Sequence, residues 1–201
     1  ALLRDYPDGA MDVDEYERLA LHYACGRNMS YEVIHALVRA CPAAASAPDK
    51  HGQLPLHLSV MRAAEREVIN LLLKTYPDAV MVADSYNFLP LHHAIELDSP
   101  LYLIETLLET NSQCAQVAMS GDGGKLPLHF AVEMRRPLPI LKALIEAFPG
   151  ACHTRELERG RLPLCWGMER QLPLEALLLI ESHYPVDQCA SVKDNDGRLP
   201  I

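Results

Sequence analysis

One four-residue phrase, Leu-Pro-Leu-His, constrains this chain more than any other feature. It stands at 54–57, 89–92 and 126–129. Variants are Leu19-Ala20-Leu21-His22, Leu162-Pro163-Leu164-Cys165 and Leu199-Pro200-Ile201. The starts fall at 19, 54, 89, 126, 162 and 199, so the interval is 35 to 37 residues. A recurrence at that period marks copies of one supersecondary unit, each too small to bury its apolar face alone.

A second landmark closes each unit: Tyr6-Pro7, Cys41-Pro42, Tyr76-Pro77, Phe148-Pro149 and Tyr184-Pro185, with Asn111-Ser112 in the third. From phrase to landmark the distance is always 22 residues, whereas from landmark to the next phrase it runs from 13 to 15. The constant stretch reads as a packed element. The variable one reads as a surface connection that tolerates insertion.

The constant stretch predicts two helices. Proline in the second place of the phrase suits a first turn, where its missing N–H would have no helical partner. Val68, Leu71 and Leu72 come next at helical spacing and line one face. Pro77 then stops the second helix. In the variable stretch Asp14, Asp49, Asp84 and Asp194 recur. Gly52, Gly124, Gly160 and Gly197 recur two residues before the phrase, with Asn87 standing in once. Glycine and asparagine accept positive φ, so a tight turn is predicted there.

Turn, Pro-Leu-His helix, second helix with Val-x-x-Leu-Leu, turn again: this resembles the ankyrin repeat, whose phrase is T-P-L-H-x-A. His92-His93-Ala94 and His129-Phe130-Ala131 carry the small residue two after the histidine. The resemblance implies an all-α, ankyrin-like solenoid of stacked helix–turn–helix repeats with short β-turn fingers. It spans residues 1–201 as one array, with hairpins at about 19–41, 54–76, 89–111, 126–148 and 162–184 and partial repeats at both ends. Three details depart from the family. Leu replaces the capping Thr, a loss that typically costs about 1 kcal/mol and that Leu54, Leu89, Leu126 and Leu162 are expected to offset by packing between repeats. Tyr-Pro or Phe-Pro replaces Gly-Ala after the second helix. The inter-helix turn is one residue longer. The unit at 162 is the most degenerate, with Cys165 for His and Pro173 near its second helix. Trp166 there either packs on a neighbouring repeat or is an exposed recognition residue.

His22, His57, His92 and His129 recur one per repeat. Repeats stack roughly 10 Å apart, too far for shared ligation of one metal at bonds near ~2 Å. The resemblance gives them a structural role, each imidazole hydrogen-bonding the turn backbone. H-E-x-x-H and G-x-S-x-G are absent. Gly121-Asp122-Gly123-Gly124-Lys125 lacks the first glycine of a phosphate loop, and Leu126 stands where Ser or Thr would hold magnesium. Asp194-Asn195-Asp196-Gly197 lacks the remaining ligands of a calcium loop. The six cysteines make no C-x-x-C pair, so they read as small core residues of a reducing compartment rather than a zinc set. No catalytic residue, cofactor or metal is assigned, and the chain is read as not an enzyme.

The formal net charge is −9. That disfavours nucleic acid, which calls for a basic stripe, and mildly favours a basic partner. No apolar run reaches membrane-spanning length. The expected function is therefore a protein–protein interaction scaffold, cytoplasmic or nuclear, binding a protein on a concave face of first helices and fingers. The rivals are a regulatory or targeting segment of a larger enzyme or channel, and a structural subunit of a large assembly. Ala1–Pro7 aligns with the end of a second helix and Leu199–Ile201 with the start of a first, so a longer array is expected.

Within the core, Val33, Val68, Leu103 and Ile140 hold equivalent places and are expected to be buried. On the finger face the candidates are Tyr16, Arg18, Lys50, His51, Tyr86 and Phe88. Tyr16, His51 and Tyr86 hold the same finger position in three successive repeats. Each ring either binds a partner, as interface tyrosines do, or packs on the next finger. Arg62, Glu65, Glu96, Glu133 and Arg135, near the ends of the first helices, are expected to face the same groove.

Overall fold

The computed structural model describes residues 11–119, 123–183, 193–195 and 197. The expectations for Tyr6-Pro7, Tyr184-Pro185, Cys189 and Leu199-Pro200-Ile201 lie outside the described residues, as do Gly121 and Asp122. Among the described residues the chain is all helix and turn, with no strand. Packing divides it into two units, Ala1–Asn111 and Ser112–Ile201.

The first unit holds three helical hairpins: α1 (Ala20–Gly26) with α2 (Tyr31–Ala40), α3 (Pro55–Met61) with α4 (Arg66–Thr75), and α5 (Pro90–Glu96) with α6 (Leu101–Thr110). First helices pack on first helices, α1 on α3 and α3 on α5. Second helices do likewise, α2 on α4 and α4 on α6. The second unit holds two hairpins built the same way: α7 (Pro127–Glu133) with α8 (Leu138–Ala147), and α9 (Pro163–Glu169) with α10 (Leu174–Ser182).

The phrase explains each first helix. Its leading Leu is the N-cap residue, in extended conformation, and its Pro opens the first turn. With no hydroxyl to cap the helix, the histidine takes over. Leu54 N–H donates to His57 Nδ1 at 3.0 Å and Leu89 N–H to His92 Nδ1 at 3.0 Å; Leu19 and His22 repeat this at 3.1 Å. The leucine side chains are free to pack: Leu19, Leu54, Leu89 and Leu162 are 1% exposed and Leu126 5%.

Each first helix ends in a left-handed residue: Asn28, Ala63 and Asp98 in the first unit, Arg135 and Gln171 in the second. The next N–H reaches back to the helix, as in Met29 to Ala24 O at 2.9 Å and Ala64 to Ser59 O at 3.0 Å. This closure satisfies carbonyls that the helix end leaves open. Proline at 100, 137 and 173 then sets the N-cap of α6, α8 and α10, so Pro173 lies one residue ahead of its helix rather than inside the first turn.

The stretch after the landmark is more ordered than a surface connection. Five-residue 3-10 helices stand at Pro42–Ser46, Pro77–Met81, Ser112–Gln116 and Pro149–His153. Each buries two side chains: Ala44 and Ala45, Ala79 and Val80, Cys114 and Ala115, Ala151 and Cys152. Variable length is confined to the residues between these turns and the next phrase.

Three of the four equivalent core positions are buried: Val68 at 1%, Leu103 at 0% and Ile140 at 3% exposed. Val33 is not. It is 38% exposed, and Ile34 beside it is fully buried instead. Val33 lies on the first described hairpin, which has a described neighbour on one side only. Val68→Asp would place an unpaired charge among α4's apolar neighbours, and a loss of about 3–5 kcal/mol is expected. Urea unfolding checks this, and a midpoint equal to the parent's would overturn the register.

Candidate protein-binding surface

Four fingers among the described residues are built on one carboxylate each. Asp49 Oδ1 accepts the N–H groups of His51 at 2.8 Å and Gln53 at 3.0 Å, and Asp84 Oδ1 those of Tyr86 at 2.9 Å and Phe88 at 3.0 Å. Asp14 does the same for Tyr16 and Arg18. In the second unit Glu156 fills the role for Glu158, Arg159 and Arg161. A side chain that folds back onto its own turn fixes the loop without neighbours. Gly52 (φ +70°) and Asn87 (φ 60°) occupy the left-handed position, and Glu17 (φ 58°) does so without being Gly or Asn. At Gly52 the space is closed as well: an added Cβ would lie 2.9 Å from Ser85 N on the next finger.

That approach exists because the fingers bond to one another. Lys50 N–H donates to Tyr16 C=O at 2.9 Å, and Ser85 N–H to His51 C=O at 2.9 Å. In the second unit Leu157 N–H donates to Gly123 C=O at 2.7 Å, and Asn195 N–H to Arg159 C=O at 2.8 Å.

The structure places the finger candidates of the first unit in adjacent turns. Tyr16 and Tyr86 are 43% and 64% exposed. Lys50 is exposed and His51 half-buried. Arg18 lies over the Tyr16 ring at 5.5 Å, and its Nε donates to Asp49 Oδ2 at 3.2 Å, so it bridges two fingers. Phe88 is half-buried, its ring centroid 5.2 Å from His93 and 5.8 Å from His92.

The helix-end candidates divide. Glu65 is exposed at the N-cap of α4, and Glu96 is exposed at the end of α5. Arg62 is exposed, but its Nε is engaged on the Gly26 carbonyl at 2.8 Å. In the second unit Arg135 is the exposed left-handed residue after α7. Glu133 holds Lys125 at 2.8 Å with one oxygen and Arg170 at 3.0 Å with the other.

Trp166, for which the sequence leaves both exposure and packing open, is 6% exposed. Three cations surround its ring: Lys125 at 4.9 Å, Arg161 at 5.4 Å and Arg170 at 5.6 Å. It is a packing residue of the second unit. It also belongs to a column that motif matching passes over, the residue after the phrase. Tyr23 in that column donates from its hydroxyl to Asp14 Oδ2 at 2.5 Å, and His93 pairs with Asp84 Oδ2 at 2.8 Å. The tyrosine hydroxyl holds the Asp14 carboxyl below its ordinary range. Burial raises that of Asp84, but bonds from Phe88, His93 and Tyr86 outweigh it and leave it lowered. The nine-residue separation of Asp from this column is the signal that could have revealed the pairing.

Among the described residues no cluster of His, Cys, Asp or Glu could hold a metal ion. Burial pushes the thiols of Cys25 and Cys152 up to about 11 and that of Cys114 to about 12, which removes thiolate character. No helix among the described residues is long and apolar enough to cross a membrane.

The family model for ankyrin repeats, in three copies, matches residues 21–116. Residues 21–116 carry three ankyrin repeats. The ankyrin fold extends further. The crystal structure of the ankyrin repeat domain of Bcl-3, described as a unique member of the IkappaB protein family, has a TM-score of 0.78 at 22% identity, covering 99% of this chain and 84% of that one. A chain from the complex of the predatory endopeptidase Bd0816 of Bdellovibrio bacteriovorus with the immunity protein Bd3460 has a TM-score of 0.74 at 14% identity, covering 94% and 90%. Among curated proteins no sequence matches significantly.

Two buried histidines, His57 and His129, make the fold sensitive to pH. The Leu54 N–H that donates to His57 Nδ1 requires that nitrogen to be unprotonated, and at His129 it is chiefly burial that opposes the charge. His57 is pushed down to about 4, chiefly by burial, and His129 to about 4 by burial. Unfolded, each takes its proton near the ordinary value of 6.5. Between these values the unfolded chain binds more protons. Stability that is full above pH 6.5 therefore falls as pH drops toward 4, by about 1.4 kcal/mol per pH unit for each histidine. Urea titrations across that window check this, and a flat profile would mean the folded rings already carry protons.

Proposed function

We propose that this chain is a protein–protein interaction scaffold that receives its partner along the finger row and the adjoining ends of the first helices. Ankyrin repeats support an interaction module in general, and one structural neighbour comes from a complex of two proteins. The observation that carries the finer reading is the row itself. Three turns, each fixed by its own aspartate and bonded to the next, hold Tyr16 and Tyr86 open to solvent. Ordering such turns is already accomplished before a partner arrives, so little conformational entropy opposes binding there. Tyrosine supplies a large contact area with few rotatable bonds.

Within this proposal the residues sort by what they are free to do. Tyr16, Lys50, His51 and Tyr86 form the contact row, with Glu65 and Glu96 beside it. Arg18, Arg62 and Glu133 hold neighbouring repeats together, Phe88 packs on the histidines of its own repeat, and all four act on binding through position. Arg135 remains a candidate of the second unit. The mechanism is shape and charge complementarity without chemistry. A cytoplasmic or nuclear setting and a single array across residues 1–201 belong to the same proposal. The array is supported by the phrase recurring on both sides of residue 111.

Tyr16→Ala combined with Tyr86→Ala tests it against a partner captured on the immobilised chain. Binding is expected to weaken by about tenfold or more, in keeping with interface tyrosines. The melting temperature should stay within about 2 °C, because both rings stand in solvent. Unchanged affinity, or unfolding that accounts for the loss, would move the interface away from the fingers.

A further inference from the structure

A groove of about 300 Å³ opens where α1 meets α3 in the first unit. Its walls include Arg18, Arg27 and Arg62, with Tyr23, Leu58 and Gly26 between them, and among the described residues no carboxylate lines it. Three guanidiniums around one hollow are unexpected in a chain whose formal net charge is −9. Internal contacts fix them in place. Arg62 Nε is tied to the Gly26 carbonyl at 2.8 Å, Arg18 Nε to Asp49 at 3.2 Å, and Arg27 lies over the Tyr23 ring at 5.7 Å. Among the described residues neither Arg27 nor Arg62 makes an ion pair, so two of the three positive charges have no carboxylate to answer them.

We propose that this groove binds carboxylate side chains of an acidic segment in the partner protein. The inference rests on the interaction-scaffold reading and adds the chemistry of one contact. Planar guanidiniums match carboxylates in paired hydrogen bonds, and arginine loses less freedom per bond than lysine would. Phosphate is the poorer fit. The groove meets the C-terminal, negative end of α1 at Gly26 and Arg27, which disfavours the near-double charge of a phosphate more than the single charge of a carboxylate. Tyr23 and Leu58 give the apolar walls against which the methylenes of a glutamate lie. The partner's acidic segment thus docks locally against an otherwise acidic molecule, which sets its register as well as its affinity.

The test is fluorescence anisotropy with a labelled oligo-glutamate peptide and the whole chain. Saturable binding that weakens with salt is expected, with no binding of oligo-lysine. Arg27→Glu should weaken binding by about tenfold or more, and the milder Arg27→Gln should weaken it less. Lys142→Glu, an exposed charge reversal on α8, should leave it unchanged. Both Arg27 variants should melt with the parent, since Arg27 is exposed. Binding of Arg27→Glu within twofold of the parent would overturn the proposal, and so would an equal loss in Lys142→Glu. Tighter binding of a phosphoserine peptide of equal length would overturn the choice of carboxylate. If a captured partner binds the chain while oligo-glutamate does not, the groove assignment alone falls. If the chain captures no partner at all, the scaffold reading falls first.

Discussion

In the first hairpin a single imidazole holds the repeat to itself and to the next. His22 Nδ1 accepts the Leu19 N–H, which closes the first turn of α1, while Nε2 lies 3.2 Å from the Gln53 carbonyl at the entrance to α3. One buried side chain thus caps its own helix and pins the neighbouring turn. His57 and His92 repeat the first of these bonds, each accepting the N–H of its own leading leucine at Nδ1. An uncharged ring is needed for both bonds at once, and burial enforces that state. The capping hydroxyl is therefore dispensable. A leucine takes its place and adds apolar contact where a threonine would have added one hydrogen bond of about 1 kcal/mol.

The finger row depends on this arrangement. A turn can present tyrosines to a partner only if its backbone cannot drift, and here three restraints act together. The aspartate binds its own turn, the adjacent finger donates a backbone hydrogen bond, and at residues 49–53 the histidine of the preceding repeat, His22, fixes the base. The second oxygen of each aspartate is also used, by Tyr23, Arg18 and His93 in turn. Those three side chains differ in kind but serve the same carboxylate position. The tips bear no such duty, and Tyr16 and Tyr86 stand in solvent.

The helices were legible in the sequence because their spacing is strict. The leading leucine, the proline in the first turn and the landmark that ends the second helix all declare local backbone geometry. The 3-10 turns after the landmark are not legible there, because two small apolar residues among prolines and polar groups carry no period. Val33 was misplaced because register shows which face a residue occupies, not whether a neighbour covers it. The contacts of Phe88 and Glu133, both binding candidates from sequence, are hidden for the same reason: partners brought in by tertiary packing leave no trace in local sequence. The arginine groove is invisible in the sequence because Arg18, Arg27 and Arg62 come from two repeats, and only packing brings them to one hollow.

The most direct test of the interaction surface is amide hydrogen exchange of the chain with and without its captured partner. If the finger row carries the interface, protection rises at residues 14–18, 49–53 and 84–88 and at the ends of α1, α3 and α5, while α2, α4 and α6 exchange as before. Protection gained on the second helices and the 3-10 turns, with the fingers unchanged, would contradict it.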